Sequence, residues 1–199
     1  MKKLIVSKIM NLVLKYNNYD EIKREELEYG IISIYLLIVK LIVILIIAAL
    51  LSIFKEVIIF TLIYIPIRAV SFGLHATKSW VCLIVSTLMF VGLPSASKYL
   101  VLPLIIKSLI GIVAAVLMFK NSPADTENRP IINNNRRLFF KYCSVLIAII
   151  YSFTSLFIKN IFISNSLLFA LLIQCVITSP LVYKIFKLPY DNYKNYKLS

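Results

Sequence analysis

Apolar residues run in long blocks broken by short polar punctuation, and most blocks are long enough for a helix. Residues 1–17 place Leu4, Ile5, Ile9, Leu12, Val13 and Tyr16 at helical spacing, with Lys2, Lys3, Lys8 and Lys15 elsewhere. That is the pattern of an amphipathic helix lying on a membrane surface or packed on the rest of the protein. Residues 20–28 are a solvated, mostly acidic stretch of helix, and residues 30–53 carry about the 20 apolar residues that a bilayer core requires. Lys40, near the middle of that block, is expected to face the bundle rather than lipid. After Lys55 and Glu56 the block 57–67 is short and weakened by Pro66, and the block 80–93 is also short, stopping at Gly92 and Pro94. Residues 100–119 are long enough to span, with Pro103 and Lys107 inside them. Residues 120–137 form the one long polar loop, residues 138–158 and 161–186 a helical hairpin around Lys159-Asn160, and residues 188–199 a basic, tyrosine-containing tail. Two short blocks on either side of residues 67–82 predict a break in the membrane layer there, tolerated only where protein or water satisfies the freed backbone.

The pattern predicts an all-α, polytopic membrane helical bundle. Six transmembrane helices are expected, with both termini cytoplasmic and an N-terminal amphipathic helix ahead of them. Composition agrees: 60% of the 199 residues are hydrophobic and the mean hydropathy is +0.88, against an apolar share of roughly 45 to 50% in soluble domains. There is room for one integral membrane domain over residues 1–199, with 1–29 interfacial, 30–187 the bundle and 188–199 a cytoplasmic tail. A net charge of +13 raises nucleic acid as a partner, but the cations flank apolar runs instead of forming a basic face, which makes them topology signals and contacts for anionic lipid. The basic start, residues 120–141 and residues 184–197 belong in the cytoplasm by that rule, which places residues 68–82 on the cytoplasmic side of a multi-pass cell-membrane protein. No small-residue cleavage pattern follows the basic start, so no cleaved signal peptide is expected. Cys82, Cys143 and Cys175 have no CxxC spacing, which argues against a disulfide framework or a metal site, and no cofactor motif is present.

Chemistry concentrates in residues 67–82, which hold the only histidine, one cysteine and an arginine. A cysteine becomes a nucleophile as thiolate, which needs a nearby histidine, a cation or a helix N-terminus. His75 and Cys82 form such a pair only if the chain bends around them. On one straight helix a seven-residue separation leaves them roughly 10 Å apart, whereas proton transfer needs about 3 Å. Gly73 offers the bend, and Thr77 or Ser79 a cap that brings Cys82 into the first turn of the next helix. Arg68 and Lys78 add positive potential and carboxylate-binding capacity. The structural alternative, a satisfied interfacial histidine and a cysteine acting as a small hydrophobe, stays open at this point; Cys143 and Cys175 fit that second description.

The run Arg68, Gly73, His75, Cys82 between apolar blocks resembles the accessory gene regulator B (AgrB) family of quorum-sensing peptide-processing proteases. The loop 122–131, Ser-Pro-Ala-Asp-Thr-Glu-Asn-Arg-Pro-Ile, resembles that family's second signature. One departure is visible: many members have two glycines before the histidine, where this chain has Phe72-Gly73. The resemblance implies a membrane cysteine endopeptidase acting on a small propeptide, AgrD, with His75 and Cys82 as the catalytic pair and Arg68 and Gly73 as further motif positions. It also implies a Cys82 thioester at the junction of signal core and acidic tail, which a group within the propeptide then attacks to release a thiolactone or lactone.

Arg68, Lys78, Lys120, Arg129, Arg136 and Arg137 are then candidates for holding the acidic tail, with positive-inside signalling as the competing reading. Asp125 is a candidate third member behind His75 or, as the preferred reading, a turn residue. A homodimer is expected, which would bury the mid-span lysines. The alternative class is a small non-enzymatic transporter or scaffold, with Lys40, Lys107 and Gln174 lining a pathway.

Overall fold

An apolar phase offers backbone amides no partner, so each apolar block must close its own hydrogen bonds as helix. The computed structural model describes residues 2–16, 19–74, 79–127 and 130–196, and no strand occurs among them. Helix α1 (Lys2–Tyr16) packs on α2 (Glu21–Leu50). The acidic stretch and the first apolar block fuse into this one 30-residue helix, capped by Asp20, whose Oδ1 accepts the Lys23 N–H at 3.2 Å.

Helix α3 (Phe54–Ser71) runs through Pro66 instead of weakening there. Pro66 and Leu62, whose carbonyl loses its donor, lie on the exposed face, while Phe60, Tyr64, Ile67 and Ser71 are buried and hold the helix against α7 and α8. The expected stop at Gly92 and Pro94 is also overturned. Helix α4 (Ser79–Thr87) passes through a π-turn, Leu88–Gly92, into α5 (Leu93–Tyr99). The wider turn shifts the ladder where the proline lacks its donor. Phe90 in that turn stands edge-on to Phe60 and Tyr64, with centroids 6.0 and 5.4 Å apart.

Helix α6 (Leu104–Asn121) starts only after Pro103. Residue 100 is extended because Asn165 Nδ2 donates to the carbonyls of Ser97 and Leu100, at 3.0 and 2.6 Å, and ends α5 there. Helices α7 (Asn134–Phe157) and α8 (Ile161–Thr178) form the hairpin, with Asn160 capping α8 through the Ile163 N–H at 3.1 Å. The final apolar block breaks at Ser179 into α9 (Pro180–Ile185), and α10 (Tyr193–Tyr196) follows.

Among the described residues, five helical stretches are long and apolar enough to cross a membrane: Lys23–Leu50, Trp80–Tyr99, Leu104–Asn121, Asn134–Phe157 and Ile161–Thr178. Six crossings were expected. Helix α3 falls outside the five because its 18 residues include Lys55, Glu56 and Arg68. Helix α8 is the hub. Its apolar window is 67% buried, against 11–17% for the other four stretches, and α3, α5, α6 and α7 pack around it. Small residues let the backbones approach: Ala114, Ala148 and Ala170 are fully buried, and a Cβ on Gly111 would stand 2.7 Å from Ser152 Cβ. Outward, Ile34, Leu37, Leu41, Leu109, Ile112 and Phe153 are exposed, a surface suited to lipid.

Candidate functional site

The ends of α3, α6 and α8 converge on residues 71–74. Phe72 leaves α3 with φ +58° and Gly73 follows with φ +108°, a reversal that favours glycine at both positions. Arg68, in the last turn of α3, folds over this turn. Its Nη1 donates to the Phe72 carbonyl, and its Nη2 donates to those of Gly73 and Leu74 at 3.2 and 3.3 Å. From α8, Gln174 Nε2 donates to the Phe72 carbonyl at 2.8 Å.

The amides of the turn are fixed as well. Gly73 N–H donates to Ala124 O at 2.8 Å, Ala124 N–H to Ser71 O at 3.0 Å, and Leu74 N–H to Ile177 O at 3.0 Å. Phe72 and Ala124 thus form a single parallel β-bridge. A Cβ on Gly73 would stand 2.8 Å from Arg68 Nη1 and 2.9 Å from Ile177 O, so the close approach itself requires glycine. The backbone is therefore held by hydrogen bonds through Leu74. His75 and Lys78 lie outside the described residues, as does Arg129.

The chain is described again from Ser79, within α4, and Cys82 lies on that helix, half-buried. Its Sγ lies 3.9 Å from Ser86 Oγ one turn on. Cys175, by contrast, is buried with its Sγ 3.9 Å from Ala114 O, as a packing residue would be. The guanidinium of Arg68, a candidate for binding substrate carboxylate, is directed at carbonyls of its own chain.

Asp125 is 2% exposed, and both its oxygens meet backbone amides: Oδ1 accepts from Asn192 at 3.0 Å, Oδ2 from Tyr193 at 3.0 Å and Ile131 at 3.3 Å. The geometry is that of a loop-holding carboxylate. Arg137, another candidate for the acidic tail, stands 3.7 Å from Asp125 Oδ2 and 3.4 Å from Asp191 Oδ1, with its guanidinium 3.5 Å over the Tyr193 ring. The residues missed by sequence reasoning are those that reach across the fold. Asn192 is buried in this loop, and Tyr183 donates from its hydroxyl to Ala124 O and Asp125 O at 3.4 and 3.1 Å. Burial raises the phenol pKa of Tyr183 well above its usual value. The Tyr183 signal was a lone tyrosine closing an apolar block.

These features define a multi-pass helical membrane protein with a half-buried cysteine on the helix that follows a hydrogen-bonded backbone turn. The family model described as accessory gene regulator B matches residues 6–178, and the chain belongs to that family, which acts in accessory gene regulation and quorum sensing. It is 30% identical over 199 residues to an AgrB-like protein of Clostridium acetobutylicum, covering 99% of this chain and 94% of that protein. It is 31% identical over 165 residues to the accessory gene regulator protein B of Staphylococcus carnosus, covering 81% and 86%. An AgrB-like protein of Listeria monocytogenes is 30% identical over 180 residues, covering 89% and 87%. No solved structure matches.

Proposed function

We propose that the protein is a membrane-embedded cysteine endopeptidase that cleaves the acidic C-terminal tail from an AgrD-like propeptide and promotes cyclisation of the remainder. Cys82 thiolate, deprotonated by His75, adds to the carbonyl at the junction. The tetrahedral intermediate collapses, breaking the C–N bond, and His75 passes its proton to the leaving amine. A Cys82 thioester remains. A thiol or hydroxyl within the bound propeptide attacks that thioester, giving a thiolactone or lactone and returning Cys82 as thiol or thiolate. Exclusion of water decides between cyclisation and hydrolysis. Lys78 and Arg129 hold the acidic tail, and Arg68 and Gly73 shape the turn ahead of His75.

The observation that carries the reading is the half-buried Cys82 on α4, eight residues beyond the hydrogen-bonded Leu74, in a chain of this family. The site faces the cytoplasm in this reading, since the cation-rich residues 120–141 sit at the same end of the bundle, tied through Ala124 to Gly73. A transporter lining would leave Lys107 and Gln174 open to a path. Instead Lys107 Nζ donates to the buried Ser164 Oγ at 2.7 Å and Gln174 to Phe72 O. The test is mass spectrometry of the purified protein mixed with an AgrD-like propeptide in lipid. A thioester adduct on Cys82, lost in Cys82→Ala together with cleavage, is the expected result; cleavage that survives Cys82→Ala rules the mechanism out.

A further inference from the structure

The basic tail expected to hang in the cytoplasm is instead folded back onto the loop that carries the motif. We propose that residues 188–196 are a latch that positions the catalytic turn, with Asp125 as the catch. This rests on the cysteine endopeptidase reading above. Two backbone amides of the tail, Asn192 and Tyr193, donate to the two oxygens of Asp125, and Asn192 Nδ2 donates to Pro189 O at 3.0 Å, which closes the tail on itself. The Tyr190 hydroxyl donates to Asn121 O at 3.4 Å, and its ring stands edge-on to Tyr183 with centroids 5.0 Å apart. Arg137 lies on the Tyr193 ring and bridges toward Asp125 and Asp191.

Asp125 is buried, so its charge must be met from all sides, and the tail supplies two of the three amides that meet it. Its neighbour Ala124 exchanges two backbone hydrogen bonds with the turn: it donates to Ser71 O and accepts from Gly73. A continuous line of bonded groups therefore runs from residues 192–193 through Asp125 and Ala124 to Gly73, two residues before His75. Without the two tail amides, the Asp125 carboxylate turns toward water and draws Ala124 off Gly73. The turn that aims His75 then loses one of its three tethers, the others being Arg68 with Gln174 and the Ile177 carbonyl. Asp125 and Tyr193 are positioning residues, acting through the backbone.

The test uses the full-length chain in lipid with an AgrD-like propeptide. Tyr193→Pro deletes the amide at the first position of α10, where helices accept proline. Asp125→Asn keeps the shape of the catch and removes its charge. Lys184→Gln alters an exposed cation of α9, outside residues 188–196, and serves as control. Both latch variants are expected to lower kcat by about tenfold to a hundredfold, the range that small misplacement of reacting groups produces, with KM within about twofold of wild type. They should also speed hydrogen exchange at the Gly73 and Ala124 amides and leave exchange in α8 unchanged. Lys184→Gln should match wild type.

Unchanged exchange at Gly73, unchanged kcat, or faster exchange throughout α8 would each overturn the latch. So would a loss of kcat in Asp125→Asn alone, because Asp125 would then act on His75 directly. A wild-type protein that forms no Cys82 adduct refutes the endopeptidase reading instead, and exchange at Gly73 in the two variants still decides whether the tail holds the turn.

Discussion

Replacing Arg68 by alanine removes three donors from carbonyls that end α3. Hydrogen bonds from a charged donor are worth about 1.5–3 kcal/mol each, and the two from Nη2, at 3.2 and 3.3 Å, are at the long end of the range. The Phe72 carbonyl keeps Gln174, so the main losses fall at Gly73 and Leu74. The turn should lose about 2–4 kcal/mol of local stability, roughly a 30- to 1000-fold rise in its open population at about 1.4 kcal/mol per factor of ten. Hydrogen exchange at the Gly73 and Leu74 amides, which are bonded to Ala124 O and Ile177 O, measures that directly. Arg68→Lys separates geometry from charge: an ammonium is a compact point charge and does not reproduce a planar fork over three carbonyls, so the lysine variant should exchange nearly as fast as alanine and process propeptide as poorly. If lysine preserves both protection and processing, Arg68 acts through its charge on the substrate and the carbonyl-fork account is wrong.

Gly73→Ala should cost about 2 kcal/mol or more, since alanine at φ +108° is strained and its methyl meets Ile177 O at 2.9 Å; thermal unfolding in lipid beside a propeptide cleavage assay checks this, and wild-type behaviour in both would refute the close approach. Burial, with Asp191 acting the same way, pushes the Tyr190 phenol up to about 12. Its folded pKa is raised above the ordinary 10, so its contribution to tail docking is fully present below about pH 10 and is lost as pH rises through about 12. An alkaline ultraviolet titration of wild type minus Tyr190→Phe should show one phenol ionising near 12; one ionising near 10 would mean that the tail is undocked.

Blocks of apolar residues made the helices legible, because a bilayer allows a chain little choice, and the cluster around His75 and Cys82 marked the candidate site. Prolines misled. Pro66 read as a weak point and Pro94 as a stop, yet packing of Phe60, Tyr64 and Phe90 carries the helices through an exposed lost bond in one case and a π-turn in the other. Phe72 was visible as a departure from a glycine pair, but only its φ of +58° explains why glycine suits the position, and its ring lies edge-on to Phe140 at 5.0 Å. The polar face of α8, with Ser164, Asn165, Ser166, Gln174 and Thr178 all buried, was present as unusual polarity inside an apolar block. Gln174 alone was singled out there. The docking of the tail was not legible, because it runs through backbone amides and a carboxylate 67 residues apart, and periodicity carries no trace of such pairs.

The hub of the bundle is also nearly the last span to leave the ribosome. Helices α3, α5, α6 and α7 are all synthesised before α8, so during translation each waits in the bilayer with its inward polar groups unmet: the Ser97 and Leu100 carbonyls without Asn165, the Lys107 ammonium without Ser164, the Phe72 carbonyl without Gln174. The turn ahead of His75 gains its Ile177 tether only once α8 has been inserted. A nascent or prematurely terminated chain therefore carries Cys82 without the completed turn at Gly73, and on the endopeptidase reading it is inactive until the hub is in place.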